Sequence, residues 1–141
     1  MAPVPPSAPS CAPVTVAPSA PVTVRAVRGA VQLDADEREH LLASTSELVS
    51  AVMQANHLSS EDLISIVFTC TPDLTSEFPA VAARGLGLGD VPLMCSVEVD
   101  VTGAMPRVVR LMALAHTAAT RAEVQHVYLR GAAALRRDIA Q

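Results

Sequence analysis

The chain has 141 residues, half of them hydrophobic, with no Trp and only Phe68, Phe78 and Tyr128 as aromatics. That length suits one domain with an aliphatic core, and a formal net charge of −4 argues against nucleic acid as a partner. Every cationic side chain is Arg, so Schiff-base chemistry and the lysine of a phosphate-binding P-loop are both excluded.

Residues 1–21 are dominated by Pro, Ala, Ser and Val, with prolines at 3, 5, 6, 9, 13, 18 and 21. Proline removes backbone donors and forbids helix, so this stretch reads as a disordered extension, either a tether or dispensable. The folded domain is then 22–141. Val22, Thr23, Val24, Val27 and Val31 predict a first strand over 22–31. Asp36 with Glu39 reads as an N-capping pair. Leu41, Leu48, Val49, Val52 and Met53 recur at helical spacing and predict an amphipathic helix over 37–55. The β-branched run over 63–69 predicts a buried strand. Thr71-Pro72 breaks it, and Ser76 is placed to cap a short helix over 78–86. After glycines at 85, 87 and 89, residues 91–99 read as a strand. The apolar run over 107–115 fits a helix or a buried strand equally well, and 125–129 reads as a short strand. Strands alternating with two helices imply an α/β layer fold with a mixed sheet.

Cys11, Cys70 and Cys95 are sparse and in no metal-type repeat, which suits a reducing cytosol. No apolar run approaches the roughly 18 to 20 residues of a membrane span. The N-terminus lacks the flanks of a signal peptide. A cytoplasmic protein with no membrane partner is expected.

Chemistry concentrates between Cys95 and Tyr128, where Glu98 and Arg110 also lie, with Arg28 at the end of the first predicted strand. Arginine grips carboxylates with a planar, two-pronged donor set. These groups can hold a small polyanion, yet no activated nucleophile or metal cluster stands beside them. On the residues alone, Arg110 could equally be a core-edge arginine paired with Glu98, Tyr128 a core tyrosine, and Cys95 a small buried hydrophobe. His126 reads as structural, and His40, His57 and His116 as surface or packing residues.

The ordered set Arg28-Gly29-Ala30, Thr71-Pro72-Asp73-Leu74, Phe78-Pro79-Ala80, Val91-Pro92, Cys95 to Glu98, Asp100-Val101-Thr102-Gly103, Arg110 and His126-Val127-Tyr128-Leu129 resembles the trimeric α/β class of monofunctional chorismate mutase (the AroH class) over about 22–139. The resemblance implies a mixed sheet with helices on one face, three subunits forming a pseudo-barrel, and sites at subunit clefts. It implies conversion of chorismate to prephenate, an intramolecular [3,3] rearrangement that needs no cofactor. Arg110 would then stabilise the breaking ether oxygen and Arg28 would bind a carboxylate with the help of Tyr128. Glu98 would accept from the ring hydroxyl, with Cys95 nearby. Arg84, Phe78 and Leu135 would line the cleft, and Arg136 would help close it. Val81 and Met94 depart from the family pattern, where some relatives carry a lysine and a small hydroxyl residue. The competing readings are a similarly folded trimeric imine or enamine deaminase of the Rid type, and a non-catalytic small-anion binding module.

Overall fold

A computed structural model describes residues 2–8 and 21–136. Most of the predicted N-terminal extension lies outside these residues, as does Cys11; residues 2–8 are exposed and in no helix or strand. The elements are β1 (Thr23–Gln32), α1 (Arg38–Ala55), β2 (Leu63–Cys70), α2 (Ala80–Gly85), β3 (Leu93–Val97), β4 (Val108–Thr117) and β5 (Val127–Leu129). A 3₁₀ turn at Arg130–Ala134 follows β5.

The five strands form one mixed sheet in the order β3-β2-β4-β1-β5. Central β4 runs antiparallel to β1 and β2, while β3 and β5 run parallel to β2 and β1 at the two edges. Alternate residues of each strand point to opposite faces. Val27, Val31, Ile66, Phe68, Val109, Leu111 and Ala113 all turn to one face and join the buried residues Leu41, Leu48, Val49 and Val52 of α1 in the main core. Burial of a Phe68 or Leu48 side chain contributes roughly 2 to 3 kcal/mol. The helix lies close on β1: a Cβ on Gly29 would sit 3.0 Å from Val52 and 3.1 Å from Leu48. Among the described residues no helix is long and apolar enough to cross a membrane.

The run over 107–115 resolves as strand. Its alternation was hidden because both faces are mostly apolar: Val109, Leu111 and Ala113 face α1, while Val108, Met112 and Leu114 face away together with Arg110. Two predicted caps are not formed. Glu37 occupies the N-cap of α1 without a side-chain bond. The Asp36 carboxylate instead accepts from the backbone N–H groups of Thr75 and Ser76, both at 3.1 Å. This tertiary use ties the loop before α2 to the start of α1. Pro79, not Ser76, stands at the N-cap of α2, which spans only Ala80–Gly85.

Two further ties set the ends of the sheet. Thr71 N–H donates to Val108 O and Val108 N–H donates to Thr71 Oγ1, both at 3.0 Å, which aligns β4 where it enters the sheet. Past β5, Arg130 adopts φ 54°, in the left-handed region that costs a non-glycine residue about 1 kcal/mol or more. Its guanidinium donates to the fully buried Ser44 Oγ at 2.8 Å and to Glu47 Oε2 at 2.9 Å, fastening the 3₁₀ turn to α1.

Candidate active site

Register across the sheet sets the site. Ser96, Thr69, Arg110, Ala30 and Tyr128 stand opposite one another in a single row crossing β3, β2, β4, β1 and β5. Paired residues share a face, so this row lies on the side away from α1, with Arg28 two residues from Ala30 on that same face. Ala30 is fully buried and small, and Tyr128 packs with it, Val108 and Ala132 in a second apolar cluster edged by Leu135. Above the row opens a cleft of about 480 Å³ lined by Arg28, Thr69, Met112, Arg110, Tyr128 and Arg136. Three guanidiniums and a phenol thus share one concavity, as a polyanion site requires.

Arg110 reaches from the cleft into the adjoining groove, where Glu98 lies. Its Nε is 2.8 Å from Glu98 Oε1, and the side chains are 44% and 17% exposed. Backbone pairing carries Glu98 there: its N–H donates to Cys70 O at 2.9 Å, one residue beyond β3. Thr69 Oγ1 donates to the same Oε1 at 2.7 Å. Arg110 therefore pairs with Glu98 and also lines the cleft.

Arg28 is held by its backbone. Its N–H donates to His126 Nδ1 at 2.9 Å, at the point where β5 has not yet begun to cover the β1 edge. An Nδ1 that accepts leaves the neutral ring with its proton on Nε2. The His126 pKa is lowered, first by burial and then by the positive charges of Arg28 and Arg136. His126 is thus a structural histidine, as the sequence indicated.

Other expected site residues lie elsewhere. Cys95 pairs in register with core residue Phe68 and so turns toward the helix layer. Together with Cys70, Phe78, Pro79 and Val97 it lines a separate groove of about 470 Å³. Phe78 is 65% exposed there, and both described thiols are free. Burial, followed by the influence of Cys95, pushes the Cys70 thiol up to about 12, which keeps it protonated. Arg84 is exposed in the last turn of α2 and lines neither space. The chain therefore brings Arg28, Glu98, Arg110, Tyr128, Leu135 and Arg136 to one region, and places Phe78 and Cys95 in another. Thr69 was missed, because a strand read as buried on both faces conceals the alternation of Ser65, Val67 and Thr69 toward the cleft.

The family model for chorismate mutase type I matches residues 24–139. The chain belongs to this family. It is 45% identical over 117 residues to the chorismate mutase AroH of Thermus thermophilus, an alignment covering 82% of this chain and 96% of that one. It is 36% identical over 117 residues to the chorismate mutase AroH of Bacillus subtilis (strain 168), covering 82% and 92%. The solved chorismate mutase from Clostridium thermocellum superposes with a TM-score of 0.77 at 37% identity, covering 78% of this chain and 98% of that one. Membership of the chorismate mutase family displaces the imine deaminase reading and agrees with the mixed sheet found here.

Proposed function

We infer that this chain converts chorismate to prephenate, with the open-face cleft as the main part of its site. The single observation behind this reading is the convergence of Arg28, Arg110 and Tyr128 in one cleft with Glu98 paired to Arg110 at its rim. The reaction moves no proton and forms no covalent intermediate. A protein can speed it by holding the compact, chair-like conformer and stabilising the charge that grows on the breaking ether oxygen. Arg110 supplies the cation beside that oxygen, worth roughly 3 kcal/mol by analogy with oxyanion donors. Arg28 and Tyr128 hold a carboxylate, and Glu98 accepts from the ring hydroxyl. Leu135 and Arg136 bound the cleft from the C-terminal side.

The assembly proposed is a homotrimer with sites between subunits. It is supported by the exposed apolar residues Val67, Met94 and Met112 on the sheet face away from α1. It is supported also by the position of the Phe78–Cys95 groove across the sheet from Arg28. A neighbouring copy would bring that groove, with Arg84, to the mouth of the cleft and complete the enclosure. The free thiols of Cys70 and Cys95 fit a cytoplasmic location.

The test is loss of chorismate absorbance with purified protein, sized by light scattering in the same buffer. Turnover above the uncatalysed rate by a particle of three chains is expected. A rate equal to background would overturn the activity, and an active monomer would overturn the shared site.

A further inference from the structure

Glu98 has two carboxylate oxygens, and both of its described partners stand against one of them, Thr69 by a hydrogen bond and Arg110 by an ion-pair contact in which Nε makes no hydrogen bond. Thr69 Oγ1 donates to Oε1 at 2.7 Å, and Arg110 Nε lies 2.8 Å from that same atom. Neither contact uses Oε2. The asymmetry is built from the sheet. Thr69 and Arg110 are cross-strand partners, and the backbone N–H of Glu98 is anchored on Cys70, the residue after Thr69. A β-branched threonine has few χ1 choices, so its hydroxyl is a stiff reference point, whereas a glutamate has three torsions to lose. The arginine is divided in the same way. Arg110 Nε is shut away from solvent, although the side chain as a whole is 44% exposed, so the exposure lies elsewhere along the side chain.

We propose that Thr69 is a positioning residue of this site: by binding Oε1 of Glu98 it leaves Oε2 for the substrate hydroxyl and keeps Arg110 in contact through Nε alone. Nη1 and Nη2 of Arg110 then remain for the ether oxygen and a carboxylate. Without the threonine hydroxyl, Glu98 is free to turn and take Arg110 side-on through two nitrogens, the geometry that guanidinium–carboxylate pairs favour. The cation would then be drawn from the reacting oxygen. This inference rests on the chorismate mutase reading above.

The experiment is steady-state kinetics on Thr69→Val, which keeps the shape and removes the hydroxyl, beside Thr69→Ser, Glu98→Gln and the Thr69→Val/Glu98→Gln double variant. Loss of a hydrogen bond to a charged group predicts a fall in kcat of about 10- to 100-fold for Thr69→Val, with KM raised by no more than about tenfold, because Arg110 loses its carboxylate contact while Arg28 and Tyr128 are untouched. Thr69→Ser should return kcat to within about threefold of the parent, since it restores the donor. The double variant should be no slower than Glu98→Gln alone, because Thr69 acts through that carboxylate. Thermal melts of each variant separate loss of fold from loss of orientation. A Thr69→Val protein with the parent kcat, or one whose defect multiplies in full with that of Glu98→Gln, overturns the assignment while leaving the activity intact. A parent protein without turnover removes the activity and the assignment with it.

Discussion

Arg110→Ala separates two roles of one side chain, as a partner for Glu98 and as the cation at the cleft. The partner role is small for stability. The pair is 44% and 17% exposed, and solvent screening limits such a contact to about 1 kcal/mol. Glu98 also keeps its bond from Thr69. The expected change in Tm is therefore no more than about 4 °C. The proposed catalytic role is the larger of the two. Removing a donor aimed at developing negative charge costs roughly 3 to 4 kcal/mol, or about 10² to 10³ in kcat. A lost carboxylate contact adds about another factor of 10 in KM. The assay is chorismate consumption followed by ultraviolet absorbance, with a thermal melt on the same sample. Arg110→Lys should recover little, because a point charge on a flexible stem cannot face Glu98 and the ether oxygen together. A variant keeping a tenth of parental kcat/KM would refute the catalytic role, and one that fails to fold would show the arginine to be chiefly structural.

Arg130→Ala removes two bonds to α1 and leaves Ser44 Oγ buried without its donor, so Tm should fall by about 5 °C in a calorimetric scan. Arg130→Gly loses the same bonds but relieves the left-handed backbone, and should melt above Arg130→Ala; the reverse order would disprove the strain. The lowered pKa of His126 implies that the unfolded chain binds the proton more readily than the folded one. Its contribution to stability is thus fully present above about pH 6.5 and declines as pH falls below that toward the folded-state value. His126→Asn can still accept from the Arg28 N–H but does not titrate, so its denaturant midpoint should depend less on pH between 7 and 5 than the parent's. An unchanged slope would assign the dependence to other groups.

Local pattern was enough where one face of an element is buried and the other is not. Helix α1 was legible from Leu41, Leu48, Val49 and Val52, and β1 and β2 from their β-branched residues, each to within a residue or two. Pattern failed where tertiary partners decide. The Asp36 carboxylate serves a loop 39 residues away and not its own helix. The mostly apolar outer face of β4 erased the two-residue alternation that marks a strand. Of the site, the groups that meet a polyanion were visible as residue types, and the family resemblance ordered them. Hidden from sequence was the row through Ser96, Thr69, Arg110, Ala30 and Tyr128, because five strands must be registered before it exists. The position of Cys95 was hidden for the same reason: only its pairing with Phe68 turns it from the cleft.

Cations on one face of the sheet and the Phe78–Cys95 groove on the other give the proposed assembly a consequence for mass action. In that assembly no single copy would enclose its own substrate, so competence would depend on chain concentration as well as on sequence. Specific activity should hold constant while the particle is intact and then fall steeply on dilution, faster than the folded fraction does. Mixed particles carry a second signature. Chains defective at Arg110 and chains defective at Phe78, co-assembled after joint refolding, would regenerate a minority of sites with both halves sound. Activity recovered from two inactive parents would then count interfaces, not subunits.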